Sequence, residues 1–248
     1  MWFFKKKKNY GKIFIGVLGM HRSGTSCLTG IMQRFGVQLG DVFEANPFNK
    51  RGNRENAEIM ALNDEVLKFN GGAWDEPVII KRWSQEQIAK REAITDAISS
   101  LGHPYWGFKD PRMLLTYPFW LKSIKDPLFI ATFRHPVRVA LSLNQRNPAM
   151  NVSTGLKLWL MYNKNLIRLI RKYDVPVVDF DKDPEDYLSD VITGLTGLGL
   201  DSRFSKDAIG FFTNSLRNQT KFEVSDEDLP EEVKEIYMKL KKLQCRKL

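Results

Sequence analysis

The sequence predicts an α/β domain: a P-loop-like parallel β-sheet flanked by helices in a three-layer α/β/α arrangement. Three observations carry that prediction. Compact apolar runs rich in β-formers recur at 12–18, 127–134 and 175–180. Helical periodicity fills most of the chain between and after them. No internal repeat or low-complexity linker divides the 248 residues, so a single domain over 1–248 accounts for the length. Runs that are apolar at nearly every position belong to strands covered on both faces.

Each element follows from its own signals. "KIFIGVL" (12–18) is the first strand and ends at Gly19. Helical pattern runs from Thr25 to Phe35, and 36–54, with Pro47 and several Gly and Asn, reads as irregular. "ENAEIMALNDEVLKF" (55–69) is helical by period, with Glu55 at its start. A helix over 84–100 opens on "SQEQ", which has the spacing of a capping box. "YWGFKD" (105–110) is a short strand and Met113–Lys122 a helix. "PLFIATFR" (127–134) is a second buried strand; Pro136 then suits a helix N-terminus, and that helix should reach Arg146. An amphipathic helix over 153–172 leads to a third strand, "VPVVDF" (175–180). Helices from Pro184, near 205–216 and from Pro230 finish the chain.

The net charge of +9 sits at the ends. Residues 1–12 carry five lysines, residues 239–248 carry five basic residues, and neither stretch has an acid, which leaves the rest near about −1. A balanced body argues against a dedicated nucleic-acid surface. The basic tail (1–11) and basic C-terminal helix (230–248) are expected to be solvated, with at most weak affinity for anionic surfaces. No run approaches the roughly 20 apolar residues of a membrane span. "MWFFKKKKNY" has its aromatics before its lysines, the wrong order for a secretory signal. Cys27 and Cys245 make neither a disulfide framework nor a metal site. A soluble, cytoplasmic protein is the expectation.

The chemistry concentrates in "GVLGMHRSGTSCL" (16–28). A loop that leaves a parallel strand and enters a helix aims several backbone N–H groups at one point, where the helix dipole adds positive charge. Gly19 and Gly24 allow tight geometry, Arg22 can fork onto two oxygens, and Ser23, Thr25 and Ser26 offer hydroxyls. His21 lies in the same loop and is grouped with these anion-binding residues. The residue after the second glycine is Thr25, not the lysine of a Walker loop. A second element is "FRHPVRVALS" (133–142). Arg134 ends a buried strand, where parallel sheets place ligands. Ser142 stands about 9 Å along the next helix from Pro136, so Arg134 and Ser142 can grip one phosphate.

Together these elements resemble the PAPS-dependent sulfotransferases, in particular a compact bacterial group related to the tyrosylprotein and heparan types. PAPS is 3′-phosphoadenosine 5′-phosphosulfate. The family's (K/R)-S-G-T-(T/S) segment is matched by Arg22-Ser23-Gly24-Thr25-Ser26, and its R-x-P-x5-S segment by Arg134, Pro136 and Ser142, with "FKDPR" (108–112) between them. The resemblance spans about residues 12–180. It implies a sulfotransferase fold, a 5′-phosphosulfate in the first loop and a 3′-phosphate at the second element. It implies transfer of a sulfuryl group to a hydroxyl acceptor, with release of adenosine 3′,5′-bisphosphate and no required metal. Arg22 is expected to stabilise charge on the leaving oxygen. Glu55 is expected to be the base for the acceptor hydroxyl, with Asp110 as a second candidate. Lys109 and Arg112 are candidates to neutralise the sulfuryl group or orient the acceptor, Arg138 and Arg217 to reach the nucleotide. The acceptor class stays open between a carbohydrate, a lipid-linked sugar, a peptide tyrosine and a small phenol. Residues 36–54, 70–83 and 144–155 are expected around its entrance. Two rival readings stand. One is a P-loop kinase using ATP and magnesium, in which Asp179 would be the Walker B residue. The other is a nonenzymatic binder that uses the basic ends.

Overall fold

The structure, a computed structural model, describes residues 12–44, 52–204, 208–210, 212 and 224–244. Four parallel strands form one sheet in the order β2-β1-β3-β4: β1 Ile13–Leu18, β2 Tyr105–Trp106, β3 Leu128–Phe133 and β4 Val177–Asp179. Around them pack α1 Thr25–Arg34, α2 Ala57–Phe69, α3 Gln85–Ser99, α4 Met113–Trp120, α5 Pro136–Arg146, α6 Val152–Tyr173, α7 Pro184–Gly197 and α8 Glu231–Leu243.

Strand residues alternate between two cores, as the two-residue pleat requires. Phe14 and Leu18 of β1, with Phe129, Ala131 and Phe133 of β3, face a core shared with α2–α6 and α8. Ile15, Val17, Ile130 and Val178 face a second core with α1 and α7. This is the three-layer α/β/α arrangement that buried, non-alternating strands predict. Trp120 and Trp159 are fully buried, and each contributes roughly 1.5–3 kcal/mol or more through burial. Their indole N–H groups donate to Asn63 Oδ1 at 2.7 Å and to Arg134 O at 3.1 Å.

Most element boundaries agree with the sequence to within one or two residues. The capping box of α3 is present: Ser84 Oγ accepts from Gln87 N–H, and the Gln87 side chain accepts from Ser84 N–H. The end of β2 and the start of α2 are shifted for local reasons. β2 has only two residues, because Gly107 N–H donates to Gln38 O, and pairing with β1 resumes only as a bridge between Val17 and Lys109. α2 begins at Ala57 instead of Glu55, because Asn56 is the N-cap and its side chain accepts from Glu58 and Ile59 N–H. Most of the helix expected near 205–216, and Arg217, lie outside the described residues.

From β1 the chain runs to β2 on one side, whereas β3 leads to β4 on the other. The C-terminal ends of β1 and β3 therefore flank a topological switch point, where open α/β sheets hold ligands. Both sequence elements singled out above emerge there.

Candidate active site

The loop 19–24 is shaped by close contacts at its two glycines. A Cβ on Gly19 would lie 2.6 Å from Thr132 O and 2.7 Å from Thr25 Cγ2. A Cβ on Gly24 would lie 2.2 Å from the Phe180 ring, and Gly24 has φ +84°. The loop is thus pressed against the end of β3 and the residue following β4. Thr132 Oγ1 fixes it further by donating to Ser23 O at 2.9 Å. Gly24 is the N-cap of α1 and offers no side-chain cap, so the first-turn amides are left for another acceptor. Ser23 is fully buried, and among the described residues its Oγ has no hydrogen-bond partner. An orphaned hydroxyl beside uncapped amides fits an anion with several oxygens, such as a phosphosulfate.

Arg22 holds φ +67°, an uncommon conformation for a residue with a side chain. Its Nε donates to Ser142 Oγ on α5 at 2.8 Å. Burial depresses the Arg22 pKa, and Arg146 and Arg134 add to that by repulsion, although a guanidinium stays charged throughout the working pH range. The loop arginine therefore shares a positive field with two arginines from the β3–α5 region.

Arg134 is buried, with its guanidinium 5.5 Å from the centroid of Phe180, the ring that also walls Gly24. Both sequence elements therefore pack close to that ring. Arg134 Nε and Arg138 Nη1 both donate to Asp181 Oδ1, at 3.1 and 2.8 Å. Ser142 is also buried, and its oxygen accepts from Arg22. The serine expected beside the 3′-phosphate thus ties the second element to the first.

A second polar cluster adjoins the start of α1. Lys109, only 2% exposed, places Nζ 2.5 Å from Glu55 Oε1 and donates to Asn53 O at 2.9 Å. Asn53 Nδ2 donates to Glu55 Oε2 at 2.9 Å. Ser26 Oγ donates to Asn53 O at 3.1 Å and lies 3.5 Å from Lys109 Nζ. The Ser26 hydroxyl, expected to serve the ligand, instead holds the 53–55 segment against α1. Glu55 lies beside the loop, as a base would need to, but outside the helix, and both of its oxygens are engaged. Asp110 is buried and accepts from Arg112 N–H at 2.8 Å and from Arg112 Nη1 at 3.2 Å. Burial raises its pKa; Arg112 opposes this, and the nearby Glu55 charge adds to it. Arg112 also pairs with Asp64 at 2.6 Å.

His21 packs on Trp74, at a centroid distance of 4.9 Å, and on Tyr162 at 5.9 Å. Among the described residues its buried Nε2 has no hydrogen-bond partner. Burial lowers its pKa well below the usual histidine value, and Arg112, Lys109, Arg146 and Arg22 act in the same direction. Burial and these charges favour the neutral imidazole. Tyr162 Oη donates to Trp74 O at 2.8 Å, which fastens the 70–83 segment over the loop.

The structure brings Arg22, Ser23, Gly24, Thr25, Ser26, His21, Glu55, Asp110, Arg134 and Ser142 to the same end of the sheet. Asp181, Asn53 and Trp74 join this end of the sheet without belonging to either sequence motif. Asp181 follows a predicted strand end, a position that could have marked it. Asn53 and Trp74 lie in segments with no periodicity to read.

No family model matches the chain, and neither the curated proteins nor the solved structures contain a significant match. The fold defines an α/β protein whose β1–α1 loop and β3–α5 turn lie at the C-terminal end of a parallel sheet. Among the described residues, no helix is long and apolar enough to cross a membrane.

Proposed function

We propose that this protein is a PAPS-dependent sulfotransferase that moves the sulfuryl group of PAPS to a hydroxyl acceptor and releases adenosine 3′,5′-bisphosphate. The observation that carries the reading is the Arg22–Ser142 hydrogen bond. It joins the loop suited to a phosphosulfate to the element suited to a second phosphate, as a donor with anions at both ends requires. The uncapped α1 amides and the orphaned Ser23 hydroxyl support the first pocket; Arg134 and Arg138 support the second.

In this reading the acceptor oxygen attacks sulfur and the bond from sulfur to the bridging oxygen breaks. The electron pair remains on the 5′-phosphate. Arg22 and the amides at the start of α1 counter that charge without needing to reorganise. The acceptor proton passes to Glu55, once the incoming hydroxyl exchanges with one of the partners that Glu55 holds. Lys109, held by Glu55 and Asn53, reaches the sulfuryl oxygens only by exchanging one of those partners. Asp110 is the alternative acceptor of the proton.

The kinase reading fares less well. Asp179 accepts from Lys241 Nζ at 2.8 Å and from Asp181 N–H at 2.9 Å, so its oxygens serve α8 and its own turn. A screen of hydroxyl acceptors with sulfur-labelled PAPS tests the proposal. Transfer to at least one acceptor class is expected. Phosphoryl transfer from ATP and magnesium, with no transfer from PAPS, would replace it by the kinase.

A further inference from the structure

We propose that Asp181 is a positioning residue that sets Arg134 and Arg138 as one unit for gripping the 3′-phosphate of the nucleotide. The proposal rests on the sulfotransferase reading above.

Asp181 lies two residues beyond β4, with its side chain 11% exposed. Its Oδ1 accepts from Arg134 Nε at 3.1 Å and from Arg138 Nη1 at 2.8 Å, and its Oδ2 accepts from His135 N–H at 2.8 Å. All three donors belong to the turn from β3 into the first turn of α5. The carboxylate is fixed from behind, because its own N–H donates to Asp179 Oδ1 at 2.9 Å. Burial alone would raise its pKa, but Arg134, the His135 amide and Arg138 outweigh that and hold it below the usual carboxylate range. It is therefore an anion at neutral pH.

A buried carboxylate among arginines can do one of two things. It can stand in for the ligand and compete with it, or it can hold the arginines in place. The geometry favours the second. Asp181 reaches Arg134 through Nε and one oxygen, not through the two-bond fork with which a guanidinium grips phosphate. Asp181 Oδ1 is shared by the two arginines, so one carboxylate ties them to each other. Arg134 also lies close enough to Arg22 to perturb it. Fixing Nε sets the plane of the Arg134 guanidinium against the Phe180 ring. A preset guanidinium loses less side-chain freedom when the anion arrives.

The test is calorimetric titration of the full chain with adenosine 3′,5′-bisphosphate and with adenosine 5′-monophosphate. The second ligand lacks the 3′-phosphate and reports on the loop alone. The unsubstituted protein should prefer the bisphosphate. Asp181→Asn should lose about tenfold or more in bisphosphate affinity while its monophosphate affinity stays within about twofold, and Asp181→Glu should recover part of the loss. Should Asp181→Asn not fold, Arg138→Ala must show the same selective loss. Unchanged or tighter bisphosphate binding by Asp181→Asn, or by Arg138→Ala in its place, overturns the proposal and leaves the sulfotransferase reading standing. Equal affinity of the unsubstituted protein for the two ligands overturns the proposal as well. Binding of neither ligand removes the sulfotransferase reading and the proposal together.

Discussion

Arg22 and Ser142, 120 residues apart, are joined by a 2.8 Å hydrogen bond from Nε to Oγ. Arg22 is held in a left-handed backbone conformation, and Ser142 is buried on α5. The bond therefore orients a cation whose backbone leaves it little freedom. Hydrogen bonds to a charged group contribute about 1.5–3 kcal/mol. Ser142→Ala should weaken adenosine 3′,5′-bisphosphate binding by roughly tenfold, while Arg22→Ala should abolish it, both by calorimetry. Full affinity in Ser142→Ala would show that Arg22 is oriented by something else.

Gly24 and Gly36 separate backbone strain from packing. Both have φ near +85°, but among the described residues a Cβ at Gly36 meets nothing within 4 Å, whereas one at Gly24 strikes the Phe180 ring. Gly36→Ala should lower stability by about 1 kcal/mol, the conformational cost alone. Gly24→Ala should cost at least about 2 kcal/mol more, as other overpacked sites do, and should also abolish nucleotide binding. Equal melting temperatures for the two variants would contradict the packing of the loop on Phe180.

Lys109 and Glu55 form a pair almost sealed from solvent, with side chains 2% and 8% exposed. Removing one partner from such a pair costs about 3–5 kcal/mol, whereas replacing both with apolar residues can cost little. Lys109→Met should therefore destabilise strongly, and Lys109→Met with Glu55→Leu should recover much of the loss in denaturant titrations. Glu55→Gln keeps the shape but leaves the Lys109 charge unmatched, so it should lower stability; the folded variant should retain bisphosphate binding while losing transfer by at least about a hundredfold. Unchanged turnover in Glu55→Gln would move the base role to Asp110.

Acidification should destabilise the fold in a definite window. His135 caps α5 through Nδ1, which accepts from Val137 N–H at 3.2 Å, while Nε2 contacts Asp226 at 2.9 Å. Burial lowers its pKa, with Asp226 opposing, and burial and four cations lower that of His21. A histidine whose folded pKa lies below the usual 6.5 binds fewer protons folded than unfolded. Its stabilisation is complete above that value and is lost as pH falls through it towards the folded pKa. Asp181, also depressed, adds a second loss below the usual carboxylate value of 3.8. Asp110 has the opposite sign, since protonation relieves a carboxylate whose pKa burial has raised. Denaturant midpoints should fall between about pH 7.5 and 5.5, and His135→Asn should flatten the fall. A flat profile in the unsubstituted protein would contradict the buried, neutral state of both histidines.

The layers of the fold were legible because they depend on local pattern. Strands β1, β3 and β4 are apolar at nearly every position, and the α3 capping box is written in four consecutive residues. The loop and the β3–α5 turn were legible as strand-to-helix connections, because Gly19 and Pro136 mark where apolar runs end and helical pattern begins. What the sequence hid depends on pairings between distant segments. Nothing local distinguishes a surface Lys109 from one sealed against Glu55, 54 residues away. Asp181 gains its meaning from a turn 43–47 residues earlier. Ser26 offered a hydroxyl, and only the folded position of Asn53 turned it inward.

The central claim is that the β1–α1 loop and the β3–α5 turn hold the two anionic ends of one adenosine nucleotide. Its most direct test is titration of the protein with adenosine 3′,5′-bisphosphate in the absence of magnesium, repeated with Arg22→Ala and Arg134→Ala. Saturable binding at one site per chain, lost in either variant, is the predicted result. A response to ATP with magnesium but none to the bisphosphate would contradict it.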